Sequence, residues 1–203
     1  KIRLVKEDIF KLKKEDLYDD SYIFFYSDHG GPFPRHKRAI YETGTKVPFL
    51  VKFPNGTNEK VNREQLLSFV DLAPTVLSIA GVKSPSEYQG IAFLGKNKSK
   101  IEREFLYTSS DRFDNVPDRI RAVRDAKFKN IRNYNPENSH ALNVLYRKQM
   151  LLMRHLTSLH LTGQLDEKSD NCFKSPRSIE ELYELVNDPF ELNNLSLDPN
   201  YID

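Results

Sequence analysis

Ile2, Val5, Ile9 and Leu12 recur at helical spacing among lysines and glutamates, which predicts an amphipathic surface helix over residues 1–16, ended by Leu17-Tyr-Asp-Asp20. Ile23-Phe-Phe-Tyr26 is a short unbroken apolar run, the form expected of a buried parallel strand covered on both faces. Residues 47–53 repeat the pattern, with Pro48 near the start and Pro54-Asn-Gly56 as the exit. Phe69, Leu72, Ala73, Val76, Leu77 and Ala80 share one face of a helix. Asp71 reads as its N-cap, Pro74 falls in the first turn where no amide donor is needed, and Gly81 supplies the left-handed stop. Two strands and a covering helix give α/β layering.

Gly95-Lys-Asn-Lys-Ser-Lys100 is a polar, basic tract and the best boundary, separating an α/β part (residues 1–100) from a second part (residues 101–203). In the second part Phe105-Leu-Tyr107, Ile120-Arg-Ala-Val123 and Phe128-Lys-Asn-Ile131 read as short strands, the latter two joined by a charged turn at Asp125 and Lys127. Leu142, Leu145, Tyr146, Leu152, Met153, Leu156 and Leu159 mark one long helix ending near Gly163, with the Met and aromatic side chains as packing residues. A loop over residues 166–177 leads to a last edge strand and turn over residues 181–195.

A chain of 203 residues fits one sizeable domain or two small ones. Its 38% apolar content, with 13 Phe and 10 Tyr, is enough for a core and excludes disorder throughout. Thirty-one basic and 29 acidic side chains leave a formal charge of +2, with the two signs intermixed. That argues against a nucleic-acid partner, while leaving local basic patches able to attract an anionic substrate. No apolar run reaches the roughly 18 residues of a transmembrane helix. The single cysteine, Cys172, cannot form an internal disulfide and leaves the redox compartment open. Asn55, Asn97 and Asn194 begin glycosylation triplets of the kind expected by chance in a chain so rich in asparagine.

Chemistry concentrates just after the first apolar run, at Asp28-His29-Gly30-Gly31. In open α/β sheets ligands sit beyond the carboxyl ends of strands. A carboxylate oxygen and an imidazole lone pair there can hold a divalent cation, and two glycines allow metal and substrate to come close to the backbone. Taken alone, the same three letters Asp-His-Gly also describe an ordinary capped turn. Lys37, within Arg35-His36-Lys37-Arg38, reads either as an anion-binding cation or as part of a solvated basic cluster.

Four dispersed segments decide between these readings: Ser27-Asp28-His29-Gly30; Lys37 followed by Tyr41-Glu42-Thr43-Gly44-Thr45-Lys46-Val47-Pro48; Phe69-Val-Asp71-Leu-Ala-Pro74-Thr75-Val-Leu77 with Gly81; and Leu182-Tyr-Glu-Leu-Val-Asn-Asp188-Pro189-Phe-Glu191-Leu-Asn-Asn194-Leu195. In order and approximate spacing they resemble the second half of the sulfatase family of the alkaline-phosphatase-like superfamily. The resemblance implies an α/β fold: the C-terminal part of an alkaline-phosphatase-like mixed-sheet domain, followed by a small α+β subdomain with an antiparallel sheet. It implies that Asp28 and His29 complete the coordination of one Ca²⁺ ion, with His29 where many members have Asn. Lys37 would bind the transferred sulfuryl group or the leaving-group oxygen, with His36 as a further contact near it. Tyr41 and Glu42 would hold the loop and anchor Lys37, and Lys46 replaces an Arg common in relatives, which removes a bidentate contact.

The family's nucleophile is a formylglycine made from Cys or Ser in a Cys/Ser-x-Pro/Ala-x-Arg segment, and further metal ligands come from an early Asp-Asp pair. Neither is found here. Asp19-Asp20 lies in a turn before the strand, and Cys172-Phe-Lys-Ser-Pro-Arg177 has the wrong order and spacing. By resemblance, then, the chain is a fragment whose partner is the missing N-terminal half of the same enzyme. Alone it would be inactive and fold poorly, and the parent would be periplasmic, secreted or lysosomal. The implied substrate is a sulfated carbohydrate or other anionic ester. Asp111 and Arg112, at the start of a dense run of charges, are the leading candidates for reading an anionic sugar, though surface ion pairing explains such charges as well. The alternatives are a phosphodiesterase or phosphonate monoester hydrolase on the same scaffold, or a noncatalytic glycan-binding fragment.

Overall fold

The computed structural model describes residues 2–56 and 64–201. The amphipathic N-terminal segment forms helix α1 (Ile2–Lys14). Strand β1 (Ile23–Tyr26) and strand β2 (Phe49–Lys52) flank the one-turn helix α2 (Glu42–Thr45). Helix α3 (Leu72–Ile79) follows. The second part contains β3 (Leu106–Phe113), β4 (Val116–Arg124), β5 (Phe128–Asn133), α4 (Leu145–Gln149), α5 (Leu151–Leu161), α6 (Glu167–Asp170) and β6 (Glu180–Glu184). The architecture is mixed α/β, as expected of an alkaline-phosphatase-like domain with a small antiparallel α+β subdomain.

The parallel pairing expected for β1 is corrected: it runs antiparallel to β2, in register from Ile23 opposite Lys52 to Tyr26 opposite Phe49. The expected burial on both faces is corrected too, since Ile23 and Phe24 are half-buried and Phe25 and Tyr26 exposed; an unbroken apolar run fixes neither strand direction nor two-sided cover. One side of the pair gathers aromatics, with Tyr26 5.7 Å from Phe49 and 5.3 Å from Phe69, and Phe49 6.0 Å from Phe93. Phe25 and Leu50 on the strands are exposed.

Asp71 also departs from the expected N-cap. Its carboxylate bonds outward instead, accepting from the amides of Ser68 at 2.8 Å and Ile91 at 2.7 Å and from Arg103 Nη2 at 2.5 Å. An N-cap bonds two or three residues ahead; Asp71 reaches back and sideways, fastening α3 to the Ile91–Arg103 return. Gly81 takes the expected left-handed conformation at φ 79°.

Strands β3 to β6 form one antiparallel sheet in the order β3-β4-β5-β6. Asp125 turns β4 into β5 by accepting from the amides of Lys127 at 2.7 Å and Phe128 at 2.6 Å. β3 runs well beyond the apolar signal at its start, because its polar half is held by the ladder to β4. Ser110 pairs with Ile120 and Arg112 with Pro117, so two β4 residues, Asp118 and Arg119, span the place of Asp111, a bulge that irregularly charged strands accommodate. The inward face carries Ile120, Ala122, Ile131 and Tyr183 together with ionisable Asp118, Lys129 and Glu181, all buried. Ile40 and Tyr41 from the first part complete this core.

The outer edge of β6 is occupied by the chain's own tail. Leu195 donates its amide to Leu182 O at 2.8 Å, and the Asn194 side chain accepts from the Leu182 amide and donates to Glu180 O. The single long helix expected after residue 142 is interrupted at Met150, whose ψ of 120° is extended, giving α4 and α5. Neither Pro nor Gly marks the break. The expected loop over 166–177 contains α6, capped by Asp166 accepting from the Ser169 amide at 2.9 Å.

Candidate functional site

Where β1 ends, Ser27 Oγ donates to His29 O at 2.7 Å and shapes the turn that presents Asp28 and His29. His29 Nδ1 lies 2.7 Å from Gly30 O. A carbonyl only accepts, so Nδ1 is the nitrogen that donates here, and Nε2 is the one turned toward Asp28. Nε2 lies 3.4 Å from Asp28 Oδ2, with the Asp28 side chain 72% and the His29 side chain 36% exposed. A carboxylate oxygen and an imidazole nitrogen side by side on one turn fit a divalent cation, of which they would supply two of roughly six to eight ligands for Ca²⁺. Among the described residues no group of three or more His, Cys, Asp or Glu side chains converges on a common point.

The loop that carries Lys37 folds back onto this turn. Lys37 donates its amide to Gly31 O at 3.0 Å, and Gly30 donates to Gly44 O at 3.0 Å. Contact is so close that a Cβ on Gly30 would lie 1.9 Å from Thr43 O, and one on Gly44 would lie 2.2 Å from both Ala39 O and His36 O. Only glycine fits at either position.

The basic cluster is not a solvated patch. Arg35 donates to Glu191 O at 2.7 Å and stacks 3.9 Å over the Tyr41 ring. Arg38 pairs with Asp114 and lies over the rings of Phe113 and Tyr146. His36 rests edge-on against Phe33, 5.5 Å between ring centres. Lys37 is half-buried, its ammonium 5.7 Å above Tyr146, and it has no carboxylate partner among the described residues. Arg35 and Arg38 hold the loop, whereas Lys37 has no ion-pair partner among the described residues.

Asp111 and Arg112 stand on β3. Asp111 is tied to Arg121 Nη2 at 2.6 Å, and Arg112 is exposed with no hydrogen-bond or ion-pair partner among the described residues. They reach the Lys37 loop only indirectly, through the β3–β4 turn, where Asp114 meets Arg38. A cavity of about 40 Å³ between this loop and the sheet is lined by Arg35, Arg38, Phe113, His140, Arg147 and Cys172. It has room for water but not for a sugar. Burial pushes the Cys172 thiol up, which disfavours its thiolate.

Tyr41 and Glu42 anchor the loop to the sheet of the second part, through partners that local sequence patterns do not reveal. Tyr41 Oη donates to Glu181 Oε2 at 2.8 Å. Glu181 is also bonded by Tyr183 Oη and Asn133 Nδ2, each at 2.6 Å, with His140 Nε2 at 3.3 Å. Glu42 pairs with Arg124 and Lys129, both at 3.2 Å. The only sequence signal for these partners is that charged residues occupy inward positions of otherwise alternating strands.

Residues 31–162 match the family model described as "N-sulphoglucosamine sulphohydrolase, C-terminal". The chain is 47% identical over 192 residues to an ulvan-active sulfatase of Formosa agariphila, an overlap of 94% of this chain and 32% of that protein. An endo-4-O-sulfatase of Bacteroides thetaiotaomicron is 29% identical over 199 residues, 93% of this chain and 34% of that one. In fold, the chain is similar to a solved 2-O GAG sulfatase, with a TM-score of 0.67 and 21% identity over 98% of this chain and 36% of the other. The chain thus spans about a third of the length of the relatives it matches. Because the matched residues run from the Lys37 loop through α3 and the β3–β5 ladder to the end of α5, the chain belongs to the N-sulphoglucosamine sulphohydrolase C-terminal family, and is a C-terminal sulfatase domain of the alkaline-phosphatase-like superfamily.

Proposed function

We propose that this chain forms the second half of a sulfatase site that hydrolyses a sulfuric ester on a sulfated glycan. Asp28 and His29 are ligands of one Ca²⁺ ion, and Lys37 holds the sulfuryl group or the leaving oxygen. The reading rests on one juxtaposition: His29 Nε2 3.4 Å from Asp28 Oδ2, on a turn to which Lys37, without a carboxylate partner among the described residues, is bonded through Gly31. Cleaving a sulfate ester builds negative charge on oxygens. A bound Ca²⁺ neutralises part of that charge, and a preorganised ammonium stabilises it more in the transition state than in the ground state.

The remaining metal ligands and the formylglycine nucleophile belong, in this reading, to residues outside these 203. The substrate class is supported by the names of the relatives, an ulvan-active sulfatase and an endo-4-O-sulfatase. Arg112, exposed and unpaired, suits a carboxylate or sulfate of the glycan, with Asp111 orienting that strand through Arg121 and His36 contacting substrate beside Lys37.

Peptide mass spectrometry of the complete native protein tests the proposal, together with metal binding by its Asp28→Asn variant. A formylglycine-bearing peptide, and Ca²⁺ affinity about 10-fold or more weaker in the variant, is the expected result. An unmodified Ser or Thr nucleophile would instead favour phosphoryl or phosphonyl ester chemistry, and unchanged Ca²⁺ affinity would remove Asp28 from the metal site.

A further inference from the structure

We infer that Glu191 is the positioning residue for Lys37, gripping the loop on both sides of that lysine. The inference builds on the reading of Lys37 as the sulfuryl-binding cation. Arg35 and Glu42 flank Lys37 in sequence, and Glu191 bonds to both: its carbonyl oxygen accepts from Arg35 Nη2 at 2.7 Å, and its Oε2 accepts from the Glu42 amide at 2.6 Å. Thr43 Oγ1 donates to Arg35 O at 2.5 Å and closes the span between them. One residue from the far end of the chain therefore fixes both ends of the segment that carries the cation.

Glu191 is itself tightly determined. Its side chain is 0% exposed, and its Oε1 faces the Lys129 ammonium at 3.2 Å, which is 2% exposed and reaches Glu42 Oε1 at the same distance. That contact is an ion pair, and Oε1 has no hydrogen-bond partner among the described residues. The backbone at Glu191 is left-handed, φ 56°, a conformation that a non-glycine residue keeps only where its surroundings over-determine it. Asp188 supplies part of that constraint by accepting from the amides of Leu192 at 3.0 Å and Asn193 at 2.7 Å. The Asp188-Pro189-Phe-Glu191 segment, at the opposite end of the sequence from Lys37, thus acts on the site by placing a cation rather than by touching substrate.

The test uses the complete polypeptide and four variants. Glu191→Gln turns an amide donor toward the Lys129 ammonium, and Lys129→Met leaves Glu191 Oε1 buried without a cation. The double variant removes both charges while a Gln carbonyl can still accept from the Glu42 amide, and Glu42 keeps Arg124. Arg35→Met releases the carbonyl grip, together with the stacking on Tyr41, and leaves the buried Glu191–Lys129–Glu42 charges intact, which keeps the test informative should a single core variant fail to fold.

Three readouts are taken: kcat and KM on a sulfate ester, the rate at which an amine-reactive acyl reagent modifies Lys37, and amide hydrogen exchange over residues 35–46. Each single variant is expected to lower kcat about 10- to 100-fold with a smaller change in KM, as small misplacements of a charge-stabilising group do. Lys37 modification and loop exchange should change with it, and the double variant should return all three toward wild type. Lower thermal stability with unchanged Lys37 modification and unchanged loop exchange would overturn the inference and leave Glu191 a packing residue. Altered Lys37 modification in a protein whose wild type cleaves no sulfate ester would uphold the clamp and overturn the sulfatase reading.

Discussion

Glu181→Gln in the complete enzyme tests how the two parts of the chain are held together, with a magnitude that follows from the site. The side chain is almost fully buried, and burial by itself pushes a carboxyl up. The hydrogen bond and charge of His140, followed by the hydrogen bonds from Tyr183 and Tyr41, outweigh that and hold Glu181 at about 2, against an ordinary 4.5. A displacement of that size corresponds to about 3 kcal/mol in favour of the ionised, folded form. The folded value lies below the unfolded one, so this stability is fully present above the unfolded value of 4.5 and is lost as pH falls toward about 2. Gln keeps the shape but cannot ionise, and its amide meets donors that the carboxylate had accepted. Urea unfolding followed by circular dichroism should place the variant about 3 kcal/mol below wild type near pH 7, with the gap closing as pH falls below about 4. Other carboxylates titrate in both proteins and cancel in the difference. A gap under about 1 kcal/mol at neutral pH, or one that does not change with acid, would refute the assignment of Glu181 as the ionised centre of this network.

Asp118→Ala leaves the Arg177 guanidinium, 2% exposed and paired through Nη1 at 3.1 Å, buried without a carboxylate; a loss of about 3–5 kcal/mol is expected by denaturant titration, and Asp118→Ala with Arg177→Met should recover most of it. Gly30→Ala forces a Cβ to 1.9 Å from Thr43 O, so the turn must open; about 1–3 kcal/mol of stability should be lost, together with Ca²⁺ affinity measured by calorimetry. Lys37→Ala should lower kcat on a sulfate ester by about 100-fold or more with unchanged urea stability; an unchanged kcat would remove Lys37 from the chemistry.

Features that depend on neighbours in sequence were legible. The helix α1, the turn at Asp125 and the left-handed stop at Gly81 each follow from spacing or from one residue's backbone preference. Features set by partners far along the chain were not. Asp71 has the residue type and place of an N-cap, but Arg103 and the Ile91 amide offer its carboxylate better-placed donors. The break at Met150 lies in a stretch of good helix formers and carries no Pro or Gly. The direction of β1 depends on which edge β2 finds. For the candidate site, the types Asp, His and Lys announce what chemistry is on offer, and the family resemblance singles out Asp28, His29 and Lys37. The commitment of Arg35 and Arg38 to Glu191 and Asp114 is a tertiary fact, and it separates Lys37 from these two basic neighbours.

The sheet β3-β4-β5-β6 ends in two edges that are protected by different means. On β6 the chain's own return from Asn194 to Ser196 takes up the open backbone groups, with Ser196 Oγ donating to Glu180 O at 2.9 Å and Leu195 donating to Leu182 O at 2.8 Å. On β3 no further strand pairs among the described residues, and the defence is charge and irregularity: exposed Asp111 and Arg112 sit at the bulge, where a second chain would find neither a straight ladder nor an uncharged surface. The two defences differ in what defeats them. Cutting the tail before Asn194 would bare a regular strand for edge-to-edge association, whereas neutralising Asp111 and Arg112 would expose only an edge already bent out of register.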